Sequence, residues 1–169
     1  MARAIQKATT AFRMHPALLW VVVFVALVLQ TFLPVKFPLA RVFDFPLLVA
    51  IYFSVVRRNK IFAIGLGTGI GLLQDALSSG LIGMFGMAKG LIGYLAATAS
   101  VKFELEDMFA RLGLMATLVF VHGVFLAVMQ RLLLEPPPPF NLLDLLSGTL
   151  INAGFGLIIF LALDKLRKQ

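Results

Sequence analysis

The chain has no cysteine and few acidic residues, with 8 Asp and Glu among 169 residues. Without thiols there is no disulfide, thiolate metal site or thiol redox step. Charged residues of both signs make up only 14% of the chain, against about 25% in an ordinary soluble domain. So little charge cannot keep a small domain in water, because small domains leave much of their chain exposed. Histidine occurs twice, and no Ser/His/Asp set can be placed at one depth. These deficits exclude a soluble enzyme and a cytosolic binding module, and they predict no cofactor and no metal.

What the chain does have is apolar sequence, which makes up 60% of its residues. Its mean hydropathy is +0.98. Apolar runs cover residues 17–33, 45–58, 61–77, 81–101, 110–134 and 142–163. Runs of about 20 residues cross a bilayer, and without strand-like alternation they must do so as helices. The expected class is therefore all-α: a polytopic membrane protein with six transmembrane helices in one domain, 17–163. Residues 1–16 and 164–169 flank it. In segment 1–16, Ile5, Ala8 and Phe12 fall on one side among basic residues, which predicts a short interfacial helix. The segment looks like a signal sequence. However, the run after it is long, and Pro34-Val35-Lys36-Phe37 offers no small-x-small cleavage site, so 17–33 reads as an uncleaved first span. Span 2 is short and would need snorkelling arginines or a thinned bilayer. Asp44 is placed as its N-cap, with Pro46 in the first turn.

The net charge of +7 reads as membrane flanks rather than a nucleic-acid surface. Eleven basic residues fall on one side of the bundle: Arg3, Lys7 and Arg13; Arg57, Arg58 and Lys60; Lys102 and Arg111; Lys165, Arg167 and Lys168. Lys36, Arg41 and Arg131 fall on the other. The positive-inside rule then predicts both termini in the cytoplasm.

Spans 3 and 4 carry the densest pattern. Gly65/Gly69 and Gly67/Gly71 are two GxxxG pairs, and Gly83, Gly86, Gly90 and Gly93 share a face of span 4. Small residues at this spacing let helices pack closely where water cannot drive association. They are not a phosphate loop, because no Lys-Ser or Lys-Thr follows them. Asp75 and Lys89 are charges inside apolar runs, where each costs about 2.5–3.5 kcal/mol without a partner. Across an antiparallel hairpin their side chains lean toward each other, which suggests an Asp75–Lys89 bridge at the centre of the fold, the alternatives being another partner for Lys89 or an Asp75 exposed at the outer rim. Span 6 carries Asp144, Gly148, Asn152 and Gly156 at four-residue spacing, and Asn152 is expected to hydrogen-bond across helices. His122 reads as a satisfied structural histidine. An aspartyl protease pair of Asp75 and Asp144 lacks any flanking signature. The Pro136, Pro137, Pro138 and Pro139 run reads as a stiff spacer, or else as a docking surface for a partner outside the membrane.

Three central segments carry a family resemblance. They are Pro46-Leu-Leu-Val-Ala-Ile-Tyr-Phe53; Gly65-Leu-Gly-Thr-Gly-Ile-Gly-Leu-Leu-Gln-Asp75; and Leu81-Ile-Gly-Met-Phe-Gly86 with Lys89-Gly-Leu-Ile-Gly-Tyr94. Together they resemble the rod shape-determining protein MreD family. Its hallmark is a glycine-rich helix ending in Gly-Leu-x-x-Asp, then a small-residue turn and Leu-x-Gly. Gly71, Leu72, Asp75, Leu81 and Gly83 occupy those positions. The resemblance implies a non-catalytic scaffold in the bacterial inner membrane, active in cell elongation and peptidoglycan synthesis. Its implied partner is a bitopic MreC-like protein, and through it MreB filaments, a RodA-type glycosyltransferase and a class B transpeptidase. Gly83 and Pro136–Pro139 are the expected partner contacts. The family's helix arrangement is thought to be similar to the substrate-binding subunits of energy-coupling-factor transporters, so a vitamin-binding subunit is the alternative. That role needs a polar and aromatic outer pocket and small-residue patches on the first span. Trp20 lies at the inner end of span 1, and Ala26 is the only small interior residue of Leu18–Leu29.

Overall fold

A computed structural model describes residues 16–78, 81–103, 105 and 107–167. The interfacial helix expected in segment 1–16 and most of the Ser78–Gly80 turn lie outside these residues. The described residues form six α-helices: α1 Pro16–Lys36, α2 Phe45–Arg57, α3 Lys60–Leu77, α4 Met84–Lys102, α5 Met108–Leu133 and α6 Leu142–Arg167. No strand occurs among the described residues. Among the described residues, six segments are long and apolar enough to cross a membrane. Short connections make successive helices antiparallel. The α1–α2, α3–α4 and α5–α6 links therefore share one end of the bundle, here the turn end.

The short second span is completed in an unexpected way. A 3-10 turn, Pro38–Val42, precedes α2, and together they form a 20-residue apolar segment, Pro38–Arg57. Asp44 caps α2 by accepting a hydrogen bond from the Leu47 amide at 3.0 Å, and Pro46 sits in the first turn, where a missing N–H costs nothing. Asn59 caps α3 in the same way through the Phe62 amide, at 3.0 Å.

Helix α2 is the axis of the bundle. Leu48, Ala50, Ile51, Tyr52 and Phe53 are fully buried, because α1, α3, α4 and α6 all pack on it. Its two ends carry aromatic clusters: Phe43 and Phe45 with Phe155, and Tyr52 with Phe53 and Phe160. By contrast, α1 and α5 are mostly exposed along apolar faces that include Trp20, Phe24, Phe32 and Phe120. A water-soluble fold could not leave such faces open, whereas hydrocarbon contact satisfies them.

The closest helix pair is α3 with α4, and only some of the glycines make that contact. A Cβ on Gly67 would overlap the Lys89 carbonyl, and one on Gly71 the Phe85 carbonyl. On the facing helix, a Cβ on Gly93 would overlap the Ala63 carbonyl, and one on Gly90 the Thr68 hydroxyl. A Cβ on Gly86 would press on the Leu72 side chain at 3.0 Å. Gly65 and Gly69 face the other way and would meet nothing within 4 Å. The packing register is therefore Gly67/Gly71, and the Gly65/Gly69 pair lies outside it. Gly83 serves by conformation instead: its φ of +101° is a left-handed geometry that side chains disfavour.

This separation is testable by thermal unfolding in detergent. Gly71→Ala is expected to cost about 1–3 kcal/mol, the range for overpacking a tight contact. Gly69→Ala is expected to leave stability unchanged or slightly raised.

Candidate functional site

Most of the buried polar groups gather at two points toward the turn end. The first is the α3–α4 hairpin. Asp75 is 1% exposed, and its carboxylate accepts three backbone hydrogen bonds: from Gly83 at 2.9 Å, Phe85 at 3.1 Å and Gly86 at 3.1 Å. It thus caps α4 from the end of α3. The first amides of a helix have no partner within it, and their partial positive charge favours an anion.

The expected Asp75–Lys89 bridge is therefore replaced by two separate contacts. Both Asp75 oxygens are held by amides at the start of α4. Lys89, one turn further along, crosses to α2 instead. Its ammonium donates to Asp44 Oδ2 at 2.6 Å with the side chain fully buried, and it lies 4.9 Å from the centre of the Phe85 ring. Asp75 is closest to a helix terminus that needs an anion, and Lys89 is level with the carboxylate that caps α2.

Asp44 is the second gathering point. Asn152 joins α6 to it: the Asn152 Oδ1 accepts from the Asp44 amide at 2.9 Å, and Nδ2 donates to Val42 and Gly148 carbonyls at 2.6 and 2.8 Å. From α1, the Gln30 Oε1 accepts from the Phe45 amide at 3.0 Å. From α5, His122 Nε2 lies 4.0 Å from Asp44 Oδ2. That nitrogen is buried and makes no hydrogen bond. The expectation of a satisfied histidine is corrected accordingly: Asp44 already engages Lys89 and the Leu47 amide, and it stands too far away for a hydrogen bond to His122. A cleft of about 190 Å³ opens beside this cluster, with Asp44, His122, Thr149, Asn152 and, at its exposed edge, Asp144 on its lining.

A third cluster, at the opposite end, went unread in the sequence. Asp164 accepts from Arg111 at 2.8 Å and from the Tyr52 hydroxyl at 3.1 Å, while Arg111 Nε donates to the Leu105 carbonyl at 2.6 Å. Ending span 6 at Leu163 left Asp164 in the tail, but α6 runs on to Arg167. An acid so close to the end of an apolar run was the available signal.

These groups do structural chemistry. Each carboxylate named here except Asp144 meets a cation or backbone amides, and no group of three His, Cys, Asp or Glu able to hold a metal ion occurs among the described residues. The remaining candidates stay apart from the clusters: Pro136, Pro137, Pro138 and Pro139 form an exposed link between α5 and α6.

A double-mutant cycle tests the assignment. Lys89→Met and Asp44→Asn are each expected to cost about 3–5 kcal/mol, as when one partner of a buried pair is removed, and together to cost much less than their sum. Asp75→Ala combined with Lys89→Met is expected to show a much smaller coupling, since the two charges interact without contact. Coupling of Lys89 to Asp75 instead of Asp44 would refute the assignment.

The family model for rod shape-determining protein MreD matches residues 12–135. No curated protein and no solved structure matches the chain. The match spans most of the chain, including α1 to α5, the Asp75 hairpin and the Asp44–Lys89 pair. The chain belongs to the MreD family, whose members are multi-pass membrane proteins of rod-shape determination rather than known enzymes.

Proposed function

We propose that the protein is a non-catalytic scaffold of the bacterial cell-elongation machinery, set in the cytoplasmic membrane with both termini inside. It binds a bitopic MreC-like protein and, through it, supports MreB filaments, a RodA-type glycosyltransferase and a class B transpeptidase in peptidoglycan synthesis. The family match over residues 12–135 carries this reading. Two further features support it. The buried charges at Asp44, Lys89 and Asp75 tie helices to one another, which suits a rigid platform. The eleven-to-three asymmetry of basic residues favours cytoplasmic termini.

In this orientation the turn end faces outward. It presents Gly83 beside the exposed Leu81 and Ile82, and the exposed Pro136–Pro139 link. We assign partner contact to these two places. The energy-coupling-factor alternative has less support. The cleft at this end, about 190 Å³, falls below the roughly 300–1,000 Å³ of small-molecule sites.

Copurification tests the proposal. Detergent-solubilised protein is expected to retain an MreC-like partner. Replacing Pro136, Pro137, Pro138 and Pro139 with alanine is expected to weaken retention about tenfold without lowering thermal stability. Undiminished retention would remove the proline link from the interface. No copurification, with normal cell shape on depletion, would refute the scaffold role. A tightly bound vitamin found by mass spectrometry would favour the alternative.

A further inference from the structure

A groove of about 400 Å³ lies between α1 and α3, at the end opposite the turn end. Leu19 and Trp20 wall it on α1, Phe62, Gly65 and Leu66 on α3, and Arg57 at the end of α2. Gly65 keeps it open, because a Cβ there would meet nothing within 4 Å. Phe62 is half-buried and Trp20 is 63% exposed. Apart from Arg57 the walls are apolar, and the space suits bulky apolar side chains.

The chain carries such side chains close by. Residues 1–15 precede α1 and lie outside the described residues. They join the bundle at Pro16, about one turn before Leu19 and Trp20, so they enter beside the groove. At 3.6 residues per turn, Ile5, Ala8 and Phe12 fall on one side of this segment, and Arg3, Lys7 and Arg13 on the other. The four steps from Phe12 to Pro16 span at most about 14 Å, which reaches from the start of α1 to the groove. A tethered segment also holds an advantage over a free acyl chain, since a short tether gives an effective concentration of mM order. The level of the groove favours it too. Tryptophan such as Trp20 marks headgroup depth, where an amphipathic segment lies with its apolar side down and its basic side toward the headgroups.

We propose that residues 1–15 fold back across the start of α1 and seat the Ile5–Ala8–Phe12 side in this groove, against Trp20 and Phe62. The Phe12 ring takes the space that Gly65 leaves. The segment thereby straps α1 to α3, two helices that otherwise meet only lightly.

The chain has no cysteine and one tryptophan, so introduced thiols and native fluorescence both report on this place alone. The full chain is studied in vesicles of phosphatidylethanolamine and phosphatidylglycerol. Ala8→Cys with Gly65→Cys is expected to form a disulfide within one chain on oxidation. Ala8→Cys with Phe109→Cys, an exposed position at the same end of α5, is expected not to. Adding Phe12→Asp to the first pair is expected to lower its yield about tenfold, the scale of losing one buried aromatic side chain. In the cysteine-free chain, Phe12→Asp is expected to increase quenching of Trp20 by brominated phospholipid. Equal yields from the two pairs would overturn the proposal. So would cross-links between chains, which would make the groove a face for a second copy. Quenching unchanged by Phe12→Asp would give the groove to lipid and overturn it as well. Should Gly65→Cys disturb the α1–α3 contact, the Trp20 measurement decides alone.

Discussion

Asp44 stands where the helices converge. Its carboxylate caps α2 and meets the Lys89 ammonium from α4. Its amide is held by Asn152 of α6, and the next amide by Gln30 of α1. His122 of α5 approaches the same carboxylate. Away from water each of these groups needs a partner inside the protein, and all but His122 Nε2 have one. One carboxylate at the start of the central helix meets that need for Lys89 and for the α2 terminus at once. The pair therefore fixes the relative depth of α2 and α4, and Asn152 adds α6. A buried pair of this kind is weak evidence of net stability, but breaking it leaves a charge stranded.

The α3–α4 hairpin solves the same problem with backbone. Asp75 supplies the anion that the start of α4 lacks, and the left-handed Gly83 turns the chain so that its own amide reaches the carboxylate. Gly67, Gly71, Gly90 and Gly93 then allow the two helices to approach at backbone distance. Dispersion contacts and the caps hold the hairpin, since lipid supplies no hydrophobic drive between helices. With charge satisfied internally, the outer faces of α1, α5 and α6 are left apolar for lipid and for other membrane helices.

Much of the fold was legible because its signals are local. A run of about 20 apolar residues needs no neighbour to become a spanning helix, and the Asp44 and Pro46 caps act within one turn. The family signature around Gly71, Leu72, Asp75, Leu81 and Gly83 lies within thirteen residues, so it too could be read directly. The candidate site was legible only in part. Asp75, Lys89 and Asn152 stood out as polar groups in apolar surroundings, but their partners did not. Lys89 finds Asp44 across 45 positions, and Asn152 reaches Val42 across 110. The Asp164–Arg111–Tyr52 cluster was missed for the same reason.

The sequence by itself determined that this chain carries six segments apolar enough to cross a membrane, which family it belongs to and which polar groups inside those segments need partners. Only the tertiary structure decided the pairing. It gave Asp75 to the amides of α4, Lys89 to Asp44 and the close contact to Gly67/Gly71 rather than Gly65/Gly69. The physical reason is one of range. Hydropathy and capping act along the chain within a turn or a span. Which ion meets which depends on the depth and rotation of helices far apart in sequence, and a difference of one turn, about 5.4 Å, is enough to exchange one partner for another.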